Sequence, residues 1–196
     1  DTASLKGLTI GWIDGGVDEA HKWAGQLGAK IVQLDDAHLQ SGTFEDVDVI
    51  VAGVFAGGTR PLNQSMRHIR AWIDAGGHFV TQYHRPIDNW DKMQSSPLPL
   101  QPGSPSIRWR VTDASAPVRM LHPDHPLLVG PNKITNSDFE GWVKERGLYF
   151  ASEWDPAYVP LLAMSDGDET TLEGSLLAAR IGAVSYTHLT LPTTDR

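Results

Sequence analysis

Hydrophobic residues in the first 85 positions fall into short continuous runs, a pattern typical of strands that are buried on both faces. Four such runs predict strands, namely residues 8–13, 31–34, 47–54 and 78–82. The third run, VDVIVAGV, is rich in β-branched residues. We therefore expect it to lie at the centre of a sheet.

Apolar residues at helical spacing lie between these runs. They predict one helix over residues 17–27, which ends at Gly28 and turns Trp23 toward the core, and another over residues 62–73. Strands that alternate with helices through short connections favour parallel βαβ units. The expected fold is thus α/β, with a doubly wound, mostly parallel sheet.

The segment at 85–105 is rich in Pro, Ser and Gln, which predicts an irregular loop without a core element. A surface excursion is the favoured interpretation, and a functional lid is the alternative. Residues 107–111 and 118–121 predict either a β-hairpin or two added strands. Ser137 and Glu140 fit a capping box.

That capping box would open a short helix that buries Phe139 and Trp142 and ends near Gly147. The last two apolar runs, residues 158–164 and 175–181, predict strands. The first 182 residues are therefore expected to form one domain.

Composition narrows the function classes. The 196 residues carry a formal net charge of -8, which would repel nucleic acid or an anionic membrane surface, and no apolar run is long enough for a membrane span. The sequence contains no cysteine, so disulfides and thiolate nucleophiles are excluded. The compartment stays open, with the periplasm and secretion as alternatives.

Ligands of doubly wound folds bind beyond the carboxyl ends of the strands, where the loops after the first, third and fourth strands meet. These loops supply the predicted ligand-binding residues Asp14, Phe55, Arg60, Gln82, Tyr83, His84 and Arg85. Aromatic rings beside amides and a guanidinium suit a sugar, and they also suit a domain interface. Trp154 and Trp90 are further contact candidates, because Trp12, Trp23 and Trp72 occupy core-facing positions.

Two glycine pairs after predicted strands suggest phosphate cradles. They are Gly15-Gly16 and Gly57-Gly58, and neither forms a GxGxxG or a Walker motif. The favoured interpretation is a turn that needs positive φ.

Three segments carry a family resemblance. GGHFVTQYHRP at 76–86, HPDHPLLVGPNKITNSDFEGWVKERGLYF at 122–150 and EWDP at 153–156 resemble the C-terminal region of bacterial PIG-L family deacetylases. That region is similar to class I glutamine amidotransferase and trehalose-utilisation (ThuA-like) domains. The resemblance covers roughly residues 5–182, and its most specific part is 132–150.

The resemblance implies a flavodoxin-like accessory domain, with the zinc-dependent N-acetyl-sugar deacetylase domain upstream as its partner. No cofactor and no metal site are expected within residues 1–182 themselves. In the amidotransferase fold the nucleophile sits on a sharp turn after a central strand, which would be residues 82–84 here. Without cysteine that turn has no thiolate, so we expect no glutaminase activity.

The sequence leaves three functions open. The favoured one is a non-catalytic module that docks on the deacetylase or binds its glycan substrate. The second is a stand-alone ThuA-like hydrolase with His84 or His122 as its base, and the third is a structural domain with a vestigial pocket. His122-Pro123-Asp124-His125 matches the deacetylase zinc motif superficially, but a proline-stiffened loop in which His125 caps or packs is the favoured interpretation.

The end of the chain departs from the resemblance. Where the family continues past Gly182 with a Gly-Lys-Gly-type turn, a closing strand and a helix, this chain reads AVSYTHLTLPTTDR. The string SYTHLTLPTT resembles translated sequencing-adapter read-through, with a real polar tail as the alternative. We therefore expect residues 183–196 to be a non-native tail that packs poorly, and the domain to be truncated.

Overall fold

The chain folds as a mixture of strands and helices. The computed structural model describes residues 4–182 together with the backbone of residues 184–189. The strands are, in chain order, β1 (Thr9–Ile13), β2 (Lys30–Gln33), β3 (Val49–Ala52), β4 (His78–Thr81), β5 (Leu100–Pro102), β6 (Arg110–Val111), β7 (Arg119–Met120), β8 (Gly147–Leu148), β9 (Ala151–Trp154), β10 (Tyr158–Pro160), β11 (Leu162–Ala163), β12 (Leu176–Ile181) and β13 (Val184–Leu189).

The helices are mostly short. The α-helices are α1 (Ala20–Gln26), α2 (Asp36–Ser41), α3 (Ala56–Thr59), α4 (Leu62–Asp74) and α5 (Pro126–Val129). Two 3₁₀ turns add Ser106–Arg108 and Asn136–Phe139.

One large sheet organises the fold. Its strand order is β10-β12-β13-β4-β3-β1-β2, in which β2, β1, β3 and β4 are parallel and β13 runs parallel beside β4. The antiparallel strands β12 and β10 complete the other edge. The prediction of an α/β fold with parallel strands is confirmed, and β3 is the middle one of the five parallel strands, as its sequence indicated.

Helix α4 covers one face of this sheet through the apolar stripe that its sequence predicts. Leu62, Met66, Ile69 and Ile73 are all buried, and they pack in one core with Ile50 of β3. Full burial of such side chains stabilises the fold by about 1.5 to 3 kcal/mol each. The helix therefore fixes the positions of the parallel strands and of the loops that follow them.

Helix α1 corrects a sequence prediction. Trp23 was expected to face the core, but it is 62% exposed, and α1 contains no buried residue. The helix packs on β2, the edge strand, so only a narrow strip of sheet lies beneath it. The helical spacing of apolar residues predicted helix α1 correctly. How deeply the helix is buried depends on the position of β2 at the edge of the sheet.

The segment at 85–105 is not a surface excursion, contrary to the favoured prediction. Trp90 and Leu100 are buried in the large core, and Trp90 Nε1 donates a hydrogen bond of 2.8 Å to the Leu100 carbonyl. Strand β5 pairs with β9. Trp90 is thus a core residue and not a contact candidate, because single large side chains anchor this segment without any periodic pattern.

A second core cluster lies under the irregular half of the chain and includes Val111, Phe139, Phe150 and Leu161. Of the two alternatives for residues 107–111 and 118–121, the hairpin does not form, and the two segments contribute separate short strands. Strand β6 pairs with β8, and β7 pairs with β11. These short pairings join segments that are distant in sequence, which local patterns do not reveal.

The predicted capping box is displaced by two residues. Thr135 is the N-cap and Asp138 its partner, so Ser137 and Glu140 are not the pair. The turn ends at Phe139, which is buried, and does not continue toward Gly147. Ser-x-x-Glu and Thr-x-x-Asp overlap here, and the reciprocal contacts form between Thr135 and Asp138.

Two further predictions change near the end of the described chain. The strand expected over 158–164 is split at Leu161, since β10 joins the large sheet and β11 pairs with β7. Residues 184–189 were expected to pack poorly, yet β13 pairs with β12 on one side and β4 on the other. The rest of the predicted tail, residue 183 and residues 190–196, lies outside the described residues.

Strand β13 lies between β12 and β4 in the large sheet. Whether its sequence is native stays a prediction. Within the part of the chain that the structure describes, no helix is long and apolar enough to cross a membrane.

Candidate functional site

The strand order defines where a ligand would approach. The chain passes from β1 outward to β2, and from β3 outward to β4 in the opposite direction, so the order reverses between β1 and β3. In open α/β sheets ligands bind at the carboxyl ends of the strands beside such a reversal. The loops after β1, β3 and β4, which the sequence analysis named, therefore remain the candidate site.

The loops after β1 and β3 contact each other directly. Asp18 Oδ2 accepts a hydrogen bond of 3.0 Å from the Val54 amide, and its Oδ1 accepts one from the Ala20 amide. A Cβ atom on Gly15 would lie 1.8 Å from the Val54 carbonyl oxygen. Sequence reasoning missed Asp18, whose carboxylate ties these two loops together.

The two glycine pairs have different backbone conformations. Gly16 has φ of +81°, as the turn interpretation expected, but Gly57 and Gly58 belong to helix α3. The Gly57 amide donates to His84 Nε2 at 2.9 Å, so this amide is already engaged and is not free to bind a phosphate.

The left-handed residue of the second turn is Phe55. It joins β3 to α3 with φ of +60° and ψ of 16°. This conformation costs a residue with a side chain on the order of 1 to 2 kcal/mol. The sharp strand-to-helix turn therefore follows β3 and not β4, where the sequence analysis placed it, and its side chain is a phenyl ring without nucleophilic character.

Phe55 belongs to an aromatic cluster that also contains Tyr83, Arg85 and Tyr149. The Phe55 and Tyr83 rings meet edge to face, with centroids 5.1 Å apart, and Tyr149 meets Tyr83 at 6.0 Å in the same manner. Such pairs contribute about 0.5 to 1.5 kcal/mol beyond their burial. Sequence reasoning missed Tyr149, which comes from a segment more than sixty residues further along the chain.

Arg85 supplies the charge of the aromatic cluster. Its guanidinium carbon lies 4.1 Å from the centroid of the Phe55 ring, and the group forms hydrogen bonds to both carboxylate oxygens of buried Asp88. The hydrogen bonds to Asp88 raise the pKa of Arg85. With its side chain 34% exposed, Arg85 combines a fixed position with access from solvent.

His84 follows Tyr83 in the loop after β4 and is 1% exposed. Its Nδ1–H donates to the Gln82 carbonyl at 2.9 Å, while Nε2 accepts from the Gly57 amide. Burial lowers the pKa of His84 to about 4. Both ring nitrogens are therefore occupied and the ring is neutral, which corrects the expectation that His84 is available to a ligand or as a base.

Tyr83 and Gln82 differ in their roles at the site: Tyr83 packs against other rings, whereas Gln82 has a buried acceptor atom. Tyr83 is 8% exposed, so its ring mainly supports Phe55 and Tyr149. Gln82 Oε1 is buried and has no hydrogen-bond partner among the described residues. An unpaired buried acceptor costs about 1 to 3 kcal/mol, so a donor from a bound molecule would stabilise this position.

The remaining predicted residues lie in other surroundings. Arg60 Nε donates to the Asp14 carbonyl at 3.0 Å, and its Nη1 pairs with Asp36 at 3.3 Å, so Asp14 and Arg60 form a polar contact of their own. Trp154 is half-buried in β9, opposite Leu100, where it packs against the large core. The described contacts do not link Trp154 to the aromatic cluster.

The His122-to-His125 loop has the structural role that was favoured. His125 caps α5, and its Nδ1 accepts from the Leu127 amide at 3.3 Å. His122 and Asp124 are exposed. Among the residues that the structure describes, no group of three or more His, Asp or Glu side chains is arranged to hold a metal ion.

The chain resembles a solved structure, but no family model and no curated protein matches it by sequence. Among solved structures, a β-galactosidase from Rahnella sp. R3 superposes with a TM-score of 0.42 and 12% identity. The alignment covers 97% of this chain and 29% of the β-galactosidase chain, so this chain spans less than a third of that protein.

Proposed function

We propose that this chain is a non-catalytic accessory domain of a zinc-dependent PIG-L-like deacetylase. The segments at 76–86, 122–150 and 153–156 support the proposal by their resemblance to that family. The order β2-β1-β3-β4 matches the first four strands of the flavodoxin-like order, which supports an amidotransferase-like domain. The zinc would belong to the deacetylase domain.

The observation that carries the proposal is the position of Phe55. A strained strand-to-helix turn is where this class of fold presents a nucleophile. Here the turn is present, yet it holds a phenyl ring, and the sequence has no cysteine to take that role. The turn is thus suited to contact and not to covalent chemistry.

A stand-alone hydrolase is less well supported. A general base needs a free nitrogen within reach of the substrate and a pKa near neutrality. Both nitrogens of His84 bond to the backbone, and burial lowers its pKa to about 4. His122 lies on an exposed loop, with no described carboxylate hydrogen-bonded to it.

The aromatic cluster is the contact surface of this proposal. Phe55 and Tyr149 are half-buried, and the fixed Arg85 adds hydrogen-bond donors beside them. Aromatic faces with neighbouring donors bind sugar rings and also anchor domain interfaces. The accessory role therefore takes one of two forms, glycan binding or docking on the deacetylase domain.

Activity assays on the purified chain test the proposal. Supplied with zinc, it should neither release ammonia from glutamine nor acetate from N-acetylglucosamine, and turnover of either would overturn it. Calorimetric titration with N-acetylchitobiose then separates the two forms, because heat that disappears in Tyr149→Ala indicates glycan binding. Docking predicts instead that the chain binds a separately purified PIG-L-type catalytic domain, and that Tyr149→Ala weakens this binding.

A further inference from the structure

A cavity of about 360 Å³ lies beside the second core cluster. Its walls include Pro117, Val118, Phe139 and Trp142, and Arg146 also lines it. This volume is at the lower end of small-molecule sites. The cavity thus combines apolar walls with one cationic group.

Arg146 is a buried cation, since only 5% of its surface is exposed. Nε donates to the Ala116 carbonyl at 2.9 Å, and Nη1 donates to the Phe139 carbonyl at 2.5 Å. A guanidinium has five N–H donors. Three of them, including both on Nη2, therefore have no described partner.

No carboxylate among the described residues lies within ion-pair distance of Arg146. Burial lowers the pKa of this guanidinium, and the more distant charge of Asp113 opposes that effect. The Asp113 carboxylate accepts hydrogen bonds from the Ser115 amide and hydroxyl instead. A guanidinium stays protonated in proteins, and leaving a buried charge without a counter-ion is costly.

The aromatic walls hold Arg146 in a fixed orientation. Its guanidinium carbon lies 5.6 Å from the Trp142 ring centroid, and Trp142 meets Phe139 with centroids 5.5 Å apart. Trp142 Nε1 is anchored on the Asp138 carbonyl at 3.0 Å. The carbon skeleton of a ligand would find these rings beside the free donors, while exposed Glu140 at the lining disfavours a molecule with many negative charges.

We propose that this cavity binds a small molecule with one anionic group, a carboxylate or a phosphate. The anion accepts hydrogen bonds from the free N–H donors of Arg146 and supplies its missing counter-ion. The planar guanidinium presents pairs of donors that match the oxygens of either group. The carbon skeleton of the ligand packs on Trp142 and Phe139. The site is separate from the aromatic cluster, and it does not depend on the function proposed above.

Calorimetric titration at low salt tests this site with four probes: benzoate, glucuronate, glucose 6-phosphate and the neutral methyl glucoside. At least one anion should bind with a Kd below about 1 mM, and the affinity should fall as salt is added. Methyl glucoside should give no heat. Comparison of the carboxylates with the phosphate ester shows which oxyanion is preferred. Absence of binding by all three anions would overturn the proposal.

Three variants test whether the anion binds in this cavity. Arg146→Lys keeps the charge but not the paired donors, and should weaken binding by about tenfold or more. Trp142→Ala preserves both backbone hydrogen bonds of Arg146 and should weaken binding about fivefold or more. Val143→Ala, on a 68% exposed neighbour, is the matched control and should bind as the wild type does.

If Arg146→Lys does not fold, the affinity of Trp142→Ala and the salt dependence show whether the anion binds in this cavity. Equal affinity of Trp142→Ala and Val143→Ala would place the anion elsewhere and refute the site. Undiminished binding by folded Arg146→Lys would refute it as well.

Discussion

The imidazole of His84 accepts a hydrogen bond from the Gly57 amide at 2.9 Å, which links the loop after β4 to the first turn of helix α3. The opposite nitrogen donates to the Gln82 carbonyl, and the Trp90 ring lies 4.9 Å away, centroid to centroid. This arrangement needs a neutral ring with its proton on Nδ1. The histidine thus holds the loop after β4 against helix α3.

Acidification should destabilise the chain through His84. Its pKa is about 4 in the fold and 6.5 ordinarily, so below pH 6.5 the unfolded chain binds a proton that the folded chain does not. The unfolding free energy should therefore fall as the pH drops through 6.5, with a total loss of about 3 kcal/mol from this group near pH 4. Denaturant titrations across this range measure the loss.

His84→Gln removes the titrating ring and should flatten this part of the pH dependence, whatever its stability at neutral pH. His122→Gln changes an exposed histidine and should keep the slope of the wild type. An unchanged slope in His84→Gln would show that other groups cause the loss.

The left-handed conformation of Phe55 predicts which of two substitutions at this position gives the more stable protein. Both Phe55→Gly and Phe55→Ala remove the ring, but glycine adopts φ of +60° without the steric cost that alanine meets. Phe55→Gly should therefore be more stable than Phe55→Ala by about 1 kcal/mol in thermal or denaturant unfolding. The reverse order would mean that the turn relaxes once the ring is absent.

Substitution of glycine by alanine should have opposite effects on stability at Gly15, where the loops after β1 and β3 meet, and at Gly25 in helix α1. Gly15→Ala places a methyl group 1.8 Å from the Val54 carbonyl oxygen and should destabilise the fold by about 1 to 3 kcal/mol or more. Gly25→Ala lies in α1 with its nearest neighbour at 3.8 Å, and should stabilise the helix by about 0.5 to 1 kcal/mol. Melting temperatures of the two variants, compared with the wild type, test both signs.

The aromatic cluster predicts that Tyr149 and Tyr83 respond differently to truncation. Tyr149→Ala should weaken binding of N-acetylchitobiose or of the partner domain by about 1 to 3 kcal/mol, with little effect on melting. Tyr83→Ala removes a buried ring, so loss of stability should dominate. Leu5→Ala serves as the distant control. If Tyr149→Ala leaves every measured affinity unchanged, the cluster is vestigial.

The sequence by itself determined the parallel half of the fold. Continuous apolar runs mark β1 to β4, and a helical stripe marks α4, because burial on a regular element repeats with the period of that element. The absence of cysteine, with the chemistry that it excludes, is equally a property of the sequence. The loops of the candidate site followed from topology, since the carboxyl ends of parallel strands share one edge.

Only the tertiary structure decided which side chains meet at that edge. Tyr149 reaches Tyr83 from a distant segment, and Trp90 with Leu100 enters the core from an aperiodic stretch. The positive φ of Phe55 likewise has no local signal, because Gly57 and Gly58 lie two and three positions later and would be the expected choice. Such contacts and backbone angles are imposed by packing between elements far apart in the chain, whereas a local pattern records only the environment of its own element.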